Sequence, residues 1–111
     1  MDERQALAAF AALSQPTRLR ILRLLVVAGP EGLAAGVIAE RAGVSASNVS
    51  FHLKELGRAG LLAARRESRS VLYSVDFAAL DALVRFLTED CCAGRPAECA
   101  AGLAGPACPA P

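Results

Sequence analysis

Residues 44–62 read VSASNVSFHLKELGRAGLL, a helix with two unlike faces. Placing successive side chains 100° apart gathers Val49, Leu53 and Leu56 into one apolar stripe. Ser47, Phe51, Lys54 and Arg58 fall opposite it, with Asn48 and Ser50 at the flanks and His52 beside the buried stripe. Ser45 is placed to cap this helix, since a serine hydroxyl accepts from the N–H groups left unpaired in a first turn. Gly60 ends the unit.

Reading outward, residues 33–41 (LAAGVIAER) form a short helix with Leu33, Val37 and Ile38 inward, broken at Gly43. Two helices joined by a brief glycine-containing turn make a helix-turn-helix. Downstream, LLAARRES and SVLYSV are extended runs, and Val71, Tyr73 and Val75 alternate as a half-buried strand should. Ser68 and Arg69 supply a tight polar turn, so the two runs form a hairpin, the wing of a winged helix. Upstream, Leu7, Phe10 and Ala11 sit at helical spacing within residues 3–13. Ser14 is a candidate N-cap with Pro16 in the first turn of a helix whose Leu19, Ile21, Leu22, Leu25 and Val26 predict burial. Asp76 caps a last helix that runs to the cysteines and ends near Gly94; its Phe77, Leu80, Leu83, Val84, Phe86 and Leu87 exceed what one protomer face needs. The fold class is thus mainly α with a small β-hairpin, a winged helix-turn-helix over residues 1–92. Residues 93–111 form an Ala/Gly/Pro/Cys-containing tail expected to be mobile unless something ties it down.

A length of 111 residues fits one domain. The opening MDERQALAAF lacks the basic start and unbroken apolar run of a secretory signal, and no window approaches the roughly 18 apolar residues of a membrane span. A cytoplasmic protein with no membrane partner is expected. Thiols are usually kept reduced there, so a disulfide framework is not expected. Net charge is only +1, but it is unevenly spread. Over residues 41–70, Arg41, Lys54, Arg58, Arg65, Arg66 and Arg69 outnumber Glu55 and Glu67, whereas residues 76–111 are net acidic. The middle of the chain suits a polyanion and its end does not.

A helix of this kind fits the major groove of double-stranded DNA, with polar side chains at base edges and cations at phosphates. Ser45, Ser47, Asn48 and Ser50 are short donors and acceptors, Phe51 suits a thymine methyl, and His52 completes the helix set. Lys54 and Arg58 reach the backbone, as do Arg65, Arg66 and Arg69 on the wing. The plainer reading makes the serines caps, packs Phe51 against protein, leaves His52 as a partly buried histidine and solvates the arginines. The consecutive order of polar helix face, helix-turn-helix and arginine wing favours the DNA reading. No Cys–His pair, carboxylate dyad or phosphate-cradling glycine loop suggests an enzyme.

LSQPTRLRILRLL (13–25), VSASNVSFHLKELGRAGLL (44–62) and RRESRSVLYSV (65–75) together resemble the ArsR/SmtB family of metal-sensing repressors, over about residues 5–90. The resemblance implies a homodimer joined through its first and last helices, with Leu7, Phe10, Leu80, Leu83, Val84 and Leu87 at the interface. It also implies a near-palindromic operator with half-sites about one turn apart. The chain departs from the family at Phe51, where such helices often carry a basic residue.

All four cysteines, Cys91, Cys92, Cys99 and Cys108, lie in the last 21 residues, which points to chemistry at one place rather than scattered core packing. Residues 33–41 contain no cysteine, so the Cys-x-Cys site of some family members is missing there. Cys91–Cys92 with Cys99 is similar to the arsenic repressors that carry a vicinal pair and a third cysteine after the last helix. Trivalent arsenic is soft, prefers sulfur and takes three thiolates in a pyramid. Adjacent helical residues point about 100° apart, so Cys91 and Cys92 need local fraying and a return of Cys99 around Gly94–Pro96 to enclose one atom. Arsenite is the expected inducer, with antimonite and methylarsenite of the same chemistry. A thiol redox sensor, a zinc or cadmium sensor with Cys108 as fourth ligand, and a thiol metalloid carrier are the alternatives.

Overall fold

The computed structural model describes residues 1–89. Helix α1 spans Glu3–Leu13, and its start is fixed by Asp2, whose carboxylate accepts from the Gln5 N–H at 2.7 Å while Gln5 accepts back from the Asp2 N–H at 2.8 Å. Its inward face is Ala6, Ala9 and Ala12, small enough for close approach, which leaves the larger Leu7 and Phe10 outside. Helix α2 runs Pro16–Ala28. Its cap is Gln15, which accepts from the Arg18 N–H at 2.9 Å, rather than Ser14. Proline occupies the first helical position, so the cap must be the residue just before it, and Ser14 instead closes α1 by donating to the Ala11 carbonyl at 2.8 Å. Of the residues expected to be buried on α2, Ile21, Leu22 and Leu25 are in the core, whereas Leu19 and Val26 are exposed.

A short 3-10 turn, Gly29–Glu31, leads to strand β1 (Leu33–Ala34) and helix α3 (Ala35–Ala42). The helix expected from residue 33 therefore begins later, because Leu33 and Ala34 pair with Tyr73 and Leu72. Val37, expected inward, is exposed, while Ile38 is fully buried. Gly32 precedes the strand at φ 73°, and an added Cβ would lie 2.4 Å from the Tyr73 carbonyl oxygen, so only glycine fits there. Helix α4 is Ala46–Arg58. Strands β2 (Leu62–Glu67) and β3 (Ser70–Val75) form the hairpin, with Glu67 opposite Ser70 and Ser68 at φ 56° in the turn. The sheet is antiparallel in the order β1–β3–β2, so the hairpin gains a third strand.

Helix α5 spans Phe77–Thr88, capped by Asp76, whose side chain accepts from the Ala79 N–H at 3.1 Å. It ends at Thr88, short of the expected Gly94, as Glu89 turns to φ −55°, ψ 132°. The core joins Ala6, Ala9 and Ala12 of α1, the buried stripe of α2, Ile38 of α3, and Val49, Leu53 and Leu56 of α4, with Leu61, Val75 and Leu83 closing it. Cys91, Cys92, Cys99 and Cys108, and the boundary drawn at residue 92, lie outside the described residues. No helix among the described residues is long and apolar enough to cross a membrane.

Candidate nucleic-acid interface

Helix α4 shows one face to solvent because its other face is committed to the core. Val49, Leu53 and Leu56 are buried, and Ser47, Asn48, Ser50, Phe51, Lys54 and Arg58 are exposed. Ser45 accepts from the Asn48 N–H at 3.2 Å, and its hydroxyl lies 3.3 Å from that of Ser47. The first turn is thereby fixed, and Ser47, Asn48 and Ser50 are exposed together at the N-terminal end of the helix, next to its cap. Phe51 is 53% exposed, a large apolar ring held in water on a polar face.

Arg18 of α2 reaches this surface, a contact with no local signal in the sequence. Its Nε donates to His52 Nδ1 at 3.2 Å, and its guanidinium lies 5.6 Å from the centre of the Phe51 ring. The Phe51 and His52 rings meet edge to face at 5.6 Å. An imidazole that accepts at Nδ1 carries its proton on Nε2, so His52 offers a donor from the recognition helix. Burial and then the Arg18 charge push its pKa below the usual 6.5. The folded state therefore prefers neutral His52, and the stability this gives is present above 6.5 and lost as pH falls through the lowered value. Replacing Arg18 with glutamine removes one of the two depressing influences. The His52 pKa, read by proton NMR on the only histidine of the chain, should rise toward 6.5. An unchanged or lower value would contradict the contact.

The five cations expected at phosphates are not equivalent. Arg65 is tied down: its guanidinium donates to the Pro30 and Glu31 carbonyls at 3.3 and 3.1 Å and pairs with Glu67 at 3.1 Å. It fastens the wing to the 29–31 turn, a structural role beside the phosphate contact read from sequence. Arg58 pairs with Glu55 at 3.4 Å, an exposed ion pair of the weak surface kind that a phosphate can displace. Lys54, Arg66 and Arg69 are exposed and have no ion-pair partner among the described residues.

At the expected dimer face, Leu7, Phe10, Val84 and Leu87 are exposed on α1 and α5, which pack side by side. Leu80 is half-buried against the core. Leu83 is 4% exposed within one protomer and belongs to the core rather than to an interface, because it faces inward on α5. Among the described residues no group of three or more His, Cys, Asp or Glu side chains is placed to hold a metal.

Residues 13–65 match a family described as a helix-turn-helix domain. The fold is similar to that of an ArsR-like transcriptional regulator from Rhodococcus sp. RHA1, with a TM-score of 0.70 and 31% identity over 91% of this chain and 88% of that one. The chain belongs to the ArsR family of helix-turn-helix transcriptional regulators. It is also similar to the homodimeric winged helix-turn-helix DNA-binding domain of a Mycobacterium bovis protein, with a TM-score of 0.61, 32% identity and coverage of 78% and 81%. A Streptomyces lividans protein named "probable mercury resistance operon repressor" is 38% identical over 98 residues, 80% of this chain and 76% of that one. The ArsR regulator described here is a DNA-binding protein, not an enzyme.

Proposed function

We propose that this ArsR regulator is a homodimeric repressor that binds a near-palindromic operator and releases it when trivalent arsenic binds Cys91, Cys92 and Cys99. The observation that carries the DNA half is the exposed α4 face. It presents uncharged donors and acceptors in its first turns and Lys54 beyond them, and the adjoining hairpin adds the wing cations Arg66 and Arg69, which have no ion-pair partner among the described residues. That is the division of labour between base edges and phosphates that groove recognition requires. The exposed Leu7, Phe10, Val84 and Leu87 support a second copy on α1 and α5, in keeping with the homodimeric M. bovis domain. Two-fold pairing sets two α4 helices toward successive turns of one duplex face.

The thiol half rests on donor chemistry. Three cysteines follow within eleven residues of the end of α5, and a soft ion prefers thiolates to every other side chain in the chain. The S. lividans relative supports a second reading in which mercury(II), equally thiophilic, is the inducer. Ligation next to a dimer helix would release DNA only if the ligand binds the DNA-incompetent state more tightly, and DNA must then weaken ligand binding by the same factor.

The DNA half is tested by measuring affinity for duplex from upstream of its own gene as salt is raised from 50 to 200 mM. The logarithm of affinity should fall linearly with that of salt, and Lys54→Gln should reduce the slope by about 0.9 per copy of the chain. Binding that is insensitive to salt, or equal on scrambled duplex, would overturn this reading.

A further inference from the structure

On the outer side of α2, opposite Ile21, Leu22 and Leu25, lies an open groove of about 540 Å³. Leu19, Leu24 and Val27 make its apolar part, and Val27 is 87% exposed, the most exposed large apolar side chain among the described residues. Arg20 and Arg23 of α2 and Arg41 of α3 surround it. None of the three has an ion-pair partner among the described residues, where the ion pairs engage Arg58, Arg65 and Arg85 instead. Arg20 and Arg23 stand one turn apart on the same helix face, a like-charge arrangement that is unfavourable without an anion nearby.

We propose that this groove binds a small carboxylate with an apolar body, a ligand site built from α2 and Arg41 and not from the DNA-reading face of α4. The volume falls in the range of small-molecule pockets. Guanidinium forks match a carboxylate in two parallel hydrogen bonds, and the leucines and valine give the body of the ligand a surface to cover. The two other occupants fit less well. A duplex phosphate offers nothing apolar to Leu19, Leu24 and Val27. A second copy of the chain, seated by two-fold symmetry, would bring the same three arginines face to face. Because α2 and α3 both pack on α4, a bridge from Arg23 to Arg41 joins helices that carry the recognition helix.

The test is a titration of the full-length, nitrogen-15-labelled protein with sodium octanoate, 1-octanol and sodium butyrate, followed by proton–nitrogen correlation spectra. Octanoate should give saturable shifts at α2 and the end of α3, with a dissociation constant of roughly 0.1–10 mM for a ligand of this size. Octanol, which lacks the charge, and butyrate, which lacks the body, should bind about tenfold more weakly or less. Arg23→Gln and Arg41→Gln should each weaken octanoate about tenfold with the spectrum otherwise unchanged. Val27→Asp, which places a carboxylate in the groove, should abolish binding should the arginine variants fold poorly. A variant with Cys91, Cys92 and Cys99 all changed to serine should bind octanoate normally. No saturation, octanol or butyrate binding as tightly as octanoate, or shifts confined to other helices would overturn the proposal. So would movement of the groove amides with protein concentration alone, which would mean a second copy covers them, or their displacement by duplex, which would make them a phosphate contact.

Discussion

Leu56→Ala is expected to cost about 2–5 kcal/mol of folding stability, because a fully buried leucine is truncated in a core that collapses only partly around the gap. That is a large part of the roughly 5–15 kcal/mol that holds a domain of this size together. Leu56 is the inner end of the stripe that sets which face of α4 meets solvent, and its carbonyl also accepts from the Leu61 N–H at 3.1 Å where the chain turns toward the wing. Urea unfolding should therefore show a lower midpoint with an unchanged slope. Phe51→Ala gives the opposite pattern. It removes an exposed ring, should leave folding stability within about 0.5 kcal/mol of the parent, and should weaken operator binding. If Leu56→Ala left stability intact, the burial that orients α4 would be misassigned. If Phe51→Ala lost as much stability as Leu56→Ala, the ring would be core and not a reader of DNA.

Changing Cys91, Cys92 or Cys99 to serine should abolish the release of operator by arsenite, while leaving operator binding itself unchanged. In the parent protein arsenite is expected to weaken operator affinity about 5–150-fold, the range of ordinary coupling between two sites. A hydroxyl is a poor ligand for a soft ion, so each serine removes one of three required donors. Cys108→Ser should behave as the parent does. Fluorescence anisotropy of labelled operator, titrated with protein in the presence and absence of arsenite, measures both quantities at once. Retained release in all three single variants would place the inducer elsewhere. Release by mercury(II) alone would support the rival ion. Release by a mild oxidant, reversed by dithiothreitol, would favour the redox sensor.

How much of this was legible beforehand differs from residue to residue. The α4 stripe was, because Val49, Leu53 and Leu56 repeat with the helical period and Ser45 precedes them as a cap. Asp76 and the Ser68–Arg69 turn were visible for the same local reasons. Strand β1 was not, since two residues carry no periodic signal and are extended only because Tyr73 and Leu72 lie beside them. On α1 a search for large apolar residues finds Leu7 and Phe10, whereas the packed face is the alanine face that lets α1 approach its neighbours. The cap at Gln15 follows from Pro16 being the first helical residue, a positional fact that outweighs the greater capping tendency of Ser14.

The candidate site shows the same division. The polar character of α4 could be read from its own residues. The partners of its side chains could not, because they come from distant parts of the chain. Arg18 is 34 residues from His52, and Arg65 is 35 residues from the Pro30 carbonyl it holds. In both cases an arginine that local charge would assign to solvent or DNA is recruited by a surface that exists only after folding.

The most direct test of the central claim is X-ray absorption at the arsenic edge of the full-length protein loaded with one equivalent of arsenite. Three sulfur neighbours and no oxygen are expected around arsenic, falling to two sulfurs in Cys99→Ser. A first shell of oxygen, or a three-sulfur shell that survives the loss of Cys99, would contradict it.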